Sequence, residues 1–284
     1  MKALVFGKTG QVARALARIL PDAEFRDRSA VDLTDPQACG QAVAETDADV
    51  VSNAAAYTAV DKAEDDTETA FQVNADAPIA MASAAKARGL PFVHISTDYV
   101  FDGSGEAPWT VDAPTAPLGA YGGSKLAGED GIRAIGGTHA ILRTSWVFSA
   151  DGANFVKTML RVSEARDALS VVNDQIGGPT SAAAIARACV TIAQRLSTDP
   201  SQTGTYHFSG APDVSWAEFA RTIFQLSGRS VTVTDIPSED YPTPAPRPKN
   251  SRLDCTTLEQ TFGVARADWR ADLRAVLKTL DEVA

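Results

Sequence analysis

Lys2-Ala3-Leu4-Val5-Phe6-Gly7-Lys8-Thr9-Gly10-Gln11-Val12-Ala13 is the stretch that decides the fold. The apolar run up to Phe6 reads as a short buried strand. Beyond the glycines, Val12, Leu16, Ile19 and Leu20 recur at i, i+4, i+7 and i+8, one face of a helix that Pro21 ends. A glycine loop joining a strand to a helix start can cradle a phosphate. Gly7 permits the tight turn, Gly10 lets a pyrophosphate approach the backbone, and small Ala13, in place of a third glycine, allows close helix–strand packing. Free amides and the helix dipole favour the anion. By themselves three small residues are equally a structural turn. At the head of an alternating chain they point to a dinucleotide, with Gly7 and Gly10 as its candidate contacts.

The alternation continues outward. Strands are expected at Ala23–Arg26, Asp49–Asn53, Pro91–Ser96 and His139–Arg143. Helices are expected from Pro36, across 62–88 in two pieces broken at Pro78, and from near Tyr121. Strands alternating with helices imply parallel pairing, so the fold class is α/β with a doubly wound sheet. After about Phe148 the rhythm changes. Helices near 152–166, 180–195, 215–227 and 268–282 are separated by shorter strand-like pieces at Thr205–Ser209 and Val231–Ile236. Five prolines between Pro237 and Pro248 forbid regular helix there, and a long loop in a compact fold is more often functional than idle. The last helix, with Trp269, Leu273, Val276, Leu277 and Leu280 on one face, is a packing element.

Composition narrows the function. With 26 Lys and Arg against 36 Asp and Glu, the 284-residue chain carries a formal charge of −10, and clustered positive charge for nucleic acid is absent. No apolar run approaches the ~18 residues of a membrane span. Glycine follows the first four apolar residues, too soon for the core of a signal peptide. Cys39, Cys189 and Cys255 are odd in number and far apart, which suggests reduced thiols, and His94, His139 and His207 are equally scattered. A cytoplasmic protein without a structural metal cluster is the expectation.

Two further groups carry chemistry. Near the end of the second strand stands Arg26-Asp27-Arg28. Asp27 would accept from an adenosine ribose and Arg28 would favour the extra phosphate of NADP, or both belong to a solvated turn. Asp32 either contacts the adenine edge or caps the following helix or a nearby turn. Tyr121 and Lys125 lie at i and i+4 on one helix face, and Ser96-Thr97-Asp98 ends the fourth strand, where open parallel sheets bind ligands. An ammonium beside a phenol lowers its pKa, so Tyr121 would exchange a proton near neutral pH while Thr97 holds the reacting oxygen.

These blocks together resemble the extended short-chain dehydrogenases/reductases. The resemblance is carried by Gly7-Lys8-Thr9-Gly10-Gln11-Val12, by Asn53 to Glu64, by Ser96-Thr97-Asp98-Tyr99-Val100-Phe101 and by Tyr121-Gly122-x-Ser124-Lys125. Downstream it runs through Arg143 to Phe148, Asn173-Asp174-Gln175-x-Gly177-x-Pro179-Thr180 and Tyr241 to Leu253. It implies a Rossmann-type sheet over residues 1–150, also receiving elements from about 168–200, and a smaller α/β substrate-binding lobe over 151–284 with interleaved boundaries. It implies NAD(P)H-dependent reduction of the C4 ketone of dTDP-4-dehydro-L-rhamnose, with Tyr121, Thr97 and Lys125 catalytic. Tyr121 gives the proton, Thr97 polarises the carbonyl, and Lys125 tunes the tyrosine and holds a ribose. Gly10, Gln11 and Val12 match the pyrophosphate loop, and Ala55, Ala56, Tyr57, Asp32 and Leu33 match other cofactor contacts; Thr97, Asp98 and Trp146 match positions facing the sugar. Trp146 has a core alternative. Arg247, Asn250 and Arg252 would hold the diphosphate or nucleoside, since arginine forks match phosphate oxygens, although Arg252 reads equally as half of a surface ion pair.

Family members carry Mg2+ between glutamates at a homodimer interface. Here Ala15 stands at the first-helix position and Arg14 and Ala17 offer no carboxylate, which argues against a metal-bridged pair and leaves the oligomeric state open. The rivals are a nucleotide-sugar dehydratase or epimerase of the same family, and a noncatalytic dinucleotide-binding regulatory subunit. Dehydratases place Glu after the Asp, where this chain has Tyr99.

Overall fold

All four residues of strand β1 (Ala3–Phe6) are buried, as a central strand covered on both faces requires. The computed structural model describes residues 1–281. After β1 come α1 (Gln11–Ile19), β2 (Glu24–Arg26), α2 (Pro36–Glu45) and β3 (Val50–Asn53). Asp35 caps α2, accepting from Ala38 N at 3.0 Å, with Pro36 in the first turn. Two helices follow, α3 (Thr67–Phe71) and α4 (Ala77–Ala87), separated by a π-helical turn at Gln72–Asp76. The interruption is therefore that turn and not Pro78, which sits in the first turn of α4 where it has no N–H to lose. Strand β4 (Phe92–Thr97), helix α5 (Ala120–Ile135) and strand β5 (His139–Thr144) complete the first half.

The second half is more broken. It runs β6 (Val147–Phe148), α6 (Phe155–Val162), β7 (Ala168–Val172), β8 (Ile176–Gly177), β9 (Thr180–Ser181), α7 (Ala182–Thr198) and β10 (Gly204–His207). Then come β11 (Val214–Ser215), α8 (Trp216–Leu226), β12 (Thr232–Ile236), β13 (Asn250–Ser251), α9 (Thr256–Phe262) and α10 (Trp269–Thr279). The four expected helices are present, each shifted or shortened at its ends. The expected end of the last one, Glu282, lies outside the described residues. The stretch expected as a strand at Thr205–Ser209 does not stay with its sequence neighbours but joins the main sheet as β10. Two-residue strands such as β8, β9 and β11 are too short to leave a period-2 pattern.

The main sheet has the order β10-β5-β4-β3-β1-β2, with every pairing parallel. Strand order reverses between β1 and β3, and ligands bind at such a switch beyond the carboxyl ends of the strands. Phe6, Asn53, Thr97 and Thr144 all end there. One face of the sheet is covered by Leu16 of α1, Ile185 and Ile192 of α7, and Phe262 of α9. The other is covered by Val43 of α2, Met81 of α4 and Ile132 of α5. A third apolar cluster gathers α6, α8 and α10 around Phe219 and the fully buried Trp269, whose indole N–H donates to Pro212 O at 2.7 Å.

Candidate active site

The glycine loop is built for close approach. Gly7 has φ 104°, and a β-carbon on it would press to 3.2 Å from the Ala54 carbonyl; other residues are strained in that conformation. Gly10 heads α1 with no side-chain cap and no acidic residue in the first turn, so the first amides of the helix stay open. The Gln11 side chain is committed elsewhere, its Oε1 accepting from Ser149 Oγ and Asn154 Nδ2, both at 3.0 Å. What Gly10, Gln11 and Val12 offer a ligand is backbone N–H groups.

Those amides open into a cleft of about 670 Å³ that also exposes Ala55, Ala56, Thr97, Asp98, Tyr121, Lys125 and Trp146. Three buried polar atoms of residues that line it, Ser96 Oγ, Asp98 Oδ2 and Thr144 Oγ1, have no hydrogen-bond partner among the described residues. A glycine cradle with open amides, a long cleft and orphaned polar atoms fit a dinucleotide and a polar substrate.

Tyr121 and Lys125 are held in place by their helix. Gly119, at the head of α5, has no capping side chain, and Glu64 reaches across instead, accepting from Ala120 N at 2.9 Å. A β-carbon at Gly122 would strike the Tyr99 carbonyl, and one at Gly128 the Asn74 carbonyl, so α5 is wedged between the β4 turn and the π-helical turn. Asn74 in that turn ties Tyr57 N at 2.8 Å to Ser124 Oγ at 3.0 Å. Thr97 Oγ1 accepts from Tyr99 N at 3.2 Å and donates to Asp98 Oδ1 at 3.1 Å.

Electrostatics here differ from the sequence expectation. Burial pushes the Tyr121 phenol up to about 12, with Asp98 adding to the rise and the Thr97 hydroxyl opposing it. Lys125 is 1 % exposed; its Nζ donates to Ile95 O at 2.8 Å and lies 3.1 Å from His94 Nε2. Burial pushes Lys125 down to about 8, against the attraction of Glu129. Loss of solvent outweighs the neighbouring charge that a helical spacing suggests. Burial likewise raises Asp98 to about 6, opposed by Ser251 and Thr97.

The far side of the cleft is assembled from distant segments. Trp146 adopts φ 49°, lines the cleft and stacks on Trp216 with ring centroids 3.5 Å apart. A β-carbon on Gly177 would come within 2.9 Å of the Trp146 indole. Arg247 pairs with Asp61 at 2.8 Å, and Ala245 N donates to the same carboxylate at 3.1 Å, which fastens the proline-rich loop to the segment after β3. Asn250 is 2 % exposed and holds its own surroundings: Nδ2 donates to Ser104 O and Ala107 O, and Oδ1 accepts from Arg252 Nη1 at 3.1 Å. The ion-pair alternative for Arg252 fails, because among the described residues its side chain meets Asn250 and no carboxylate.

The remaining candidates lie outside the cleft wall. Asp27 accepts from Ser29 N at 3.1 Å, Ser29 Oγ at 2.5 Å and Ala30 N at 3.2 Å, with Lys8 at 3.6 Å. Asp32 closes a turn through Thr34 N at 3.0 Å and meets exposed Arg28 at 3.4 Å. It does not cap α2, which Asp35 does. Leu33 is buried in the core, and the Tyr57 hydroxyl donates to Asp66 at 3.0 Å. Ala15 is 5 % exposed and packs in the core with α7. A Mg2+ ion does not fit the residues there, since Ala15 and its neighbours Arg14 and Ala17 offer no carboxylate.

The family described as the RmlD substrate binding domain matches residues 1–282. A dTDP-4-dehydrorhamnose reductase of Sinorhizobium fredii is 44% identical over 99% of this chain and 98% of its own. The chain belongs to the dTDP-4-dehydrorhamnose reductase family. Among solved structures, a dTDP-4-dehydrorhamnose reductase of Clostridium acetobutylicum superposes with a TM-score of 0.91 at 38% identity, covering 99% of this chain and all of that one. One from Bacillus anthracis, in complex with NADP, does so at 0.89 and 33% identity over 98% of this chain and 99% of its own.

Sequence reasoning singled out Thr97, Tyr121 and Lys125, which the structure brings together in this cleft, but not the residues that hold them. Glu64, Asp61, Asn74 and Trp216 were missed as such. The available signals were a reactive helix beginning at an uncapped Gly119, and Ser215-x-x-Glu218 opening α8 at Trp216, where Ser215 Oγ accepts from Glu218 N at 3.0 Å.

Proposed function

We propose that this chain is an NAD(P)H-dependent oxidoreductase that reduces the C4 ketone of dTDP-4-dehydro-L-rhamnose to dTDP-L-rhamnose. The observation that carries the reading is one cleft containing open glycine-loop amides at one end and Tyr121, Thr97 and Lys125 at the other. The backbone amides of Gly10, Gln11 and Val12 receive the pyrophosphate, Ala55 and Ala56 line the bound cofactor, and Lys125 bonds a ribose hydroxyl. When bound, the reduced nicotinamide supplies the hydride. Thr97 orients the ketone oxygen, and Tyr121 gives it the proton from its Oη–H bond, its raised pKa keeping that proton in place until the oxygen becomes basic. Trp146 lies against the sugar, and Arg252 serves the diphosphate.

NADPH is the better-fitting cofactor. Asp27 Oδ1 is occupied by its own turn, whereas Lys8 and Arg28, exposed and loosely paired with Asp27 and Asp32, stand beside the loop where an added phosphate would compete for them. Buried free thiols at Cys39, Cys189 and Cys255 accord with a cytoplasmic setting. Among the described residues no helix is long and apolar enough to cross a membrane.

The dehydratase reading is disfavoured because the position after Asp98 is a ring: Tyr99 packs edge-on against Tyr121 with centroids 5.5 Å apart, and burial raises its pKa. The test is stoichiometric NADPH oxidation by purified dTDP-4-keto sugar, with the product's stereochemistry determined. A bound NAD that is recycled without net consumption would place the chain with the epimerases or dehydratases instead.

A further inference from the structure

The loop between β6 and α6, residues 149–154, is fastened to the helix that begins at the glycine loop. Gln11, Arg14 and Arg18 stand at i, i+3 and i+7 on one face of α1. All three are engaged with that loop. Arg14 and Arg18 reach the Asp151 carboxylate at 3.5 and 2.6 Å. Gln11 Oε1 accepts from Ser149 Oγ and from Asn154 Nδ2, both at 3.0 Å. Asn154 Oδ1 is taken by Lys157 N at 3.2 Å as the cap of α6. Its Nδ2 is therefore what it turns toward Gln11, and Gln11 must answer with its oxygen. The same Nδ2 donates to Ser149 O at 2.8 Å, and Ser149 Oγ accepts from Asp151 N at 3.1 Å, so the loop is a closed knot that docks as a unit. At Gly152 the φ of 66° favours glycine, and a β-carbon there would sit 3.3 Å from Gln11 Cγ.

Neither helix needs these ties to stay folded. Val12 and Leu16 bury α1 in one apolar cluster, and Val156 and Leu160 bury α6 in another. What the ties add is position. Gly152 and Ala153 line the same cleft as Thr9, Gly10, Gln11 and Val12, and the chain runs back along that cleft to Val147 and Trp146.

We infer that residues 149–154 are a clamp on the pyrophosphate end of the cofactor, held shut by the Gln11 side chain. Gln11 offers the dinucleotide its backbone N–H directly, and its side chain is a positioning group that acts through the loop. A loop left free has to be ordered when the dinucleotide binds, and the apparent affinity falls with the fraction of molecules in which it is closed. A latch already made in the free protein removes that cost. The two arginines keep Asp151 paired, so the loop brings no unopposed negative charge toward a diphosphate.

This inference rests on the reading of the Gly10 to Val12 amides as the pyrophosphate site, and its test separates the two. The measurement is calorimetric titration of the full chain with NADP+ and with adenosine 2′-monophosphate, which lacks both pyrophosphate and nicotinamide. Wild-type protein that binds no NADP+ overturns the cofactor reading and the clamp with it. With binding established, Gln11→Met keeps the length of the side chain and the backbone N–H and removes the acceptor. The expected result is an NADP+ Kd raised about tenfold, on the scale of one net hydrogen bond, with the Kd of the monophosphate unchanged. Equal NADP+ affinity in wild type and variant overturns the clamp and leaves the cofactor reading standing. Equal weakening of both ligands also overturns it, because a clamp on the pyrophosphate leaves the adenosine end alone. Asn154→Ser approaches from the other side, since serine still caps α6 but is too short to reach Gln11. It should weaken NADP+ by a similar factor, and the two changes together should cost little more than either alone. Additive losses overturn the inference, since the two side chains would then not act through one bond. If one single variant does not fold, the other decides.

Discussion

The two walls of the cleft are built on different principles. The sheet-side wall consists of short local motifs on buried elements, where Gly7, Gly10, Thr97, Tyr121 and Lys125 are set by strand ends and by a helix with no room to shift. The far wall is drawn from Asp61, Trp146, Gly177, Trp216 and the 237–252 loop, joined by one stack, one ion pair and the amide of Asn250. The first wall is preorganised by packing, which costs nothing at the moment of reaction. The second depends on cross-chain ties, which are individually weak where exposed.

If this contrast is right, changes on the sheet side should cost more, and cost rate, whereas changes on the far side should cost binding. The largest effect is expected for Tyr121→Phe. Turnover should fall by ~10²–10⁴-fold with NADPH binding retained, measured by steady-state kinetics and fluorescence titration. Near-normal turnover would erase the contrast. Next is Gly122→Ala, where the added methyl strikes the Tyr99 carbonyl. Overpacking should cost ~1–3 kcal/mol of stability by denaturant melt and lower kcat as well.

The sheet side should also be acid-sensitive. Burial, assisted by Arg143, holds His207 down to about 4. The unfolded histidine takes a proton from about pH 6.5 downward while the folded one does not. Stability is therefore complete above about 6.5 and falls toward 4, at up to ~1.4 kcal/mol per pH unit for this group. His207→Gln should flatten that slope in urea midpoints measured across the window, and an unchanged slope would show the proton bound elsewhere.

Far-wall changes should be milder. Trp216→Ala removes the ring behind Trp146 and should raise KM for the sugar nucleotide by ~3–10-fold with little change in kcat. Asp61→Asn loosens the half-exposed tie to Arg247, worth ~0–1 kcal/mol, and should raise KM by less than about fivefold. A kcat collapse in either variant would mean that the walls do not divide labour in this way.

The same contrast explains what could be read from the sequence. The glycine loop, the strand–helix alternation and the Tyr121–Lys125 spacing are local patterns, and each leads to the architecture and the cleft. Local spacing could not foresee that Lys125 turns toward His94 and Ile95, because the direction of a buried amino group depends on which partners the neighbouring strand presents. Asp61 and Arg247 are far apart in sequence, and nothing local marks them as a pair. Strand β10 was legible as a strand but not as the edge of the main sheet, since its partner β5 is distant along the chain. The π-helical turn before Pro78 left no sequence signal that separates it from a proline break.

The central claim, that Tyr121 delivers the proton at the lip of a dinucleotide cleft, is tested most directly by a structure of the ternary complex with NADP and the dTDP-linked sugar. The account predicts the Tyr121 hydroxyl within hydrogen-bond reach of the sugar O4, ~2.6–3.2 Å, with Thr97 on the same oxygen. A Tyr121 hydroxyl turned away from O4, with another acid between them, would contradict it.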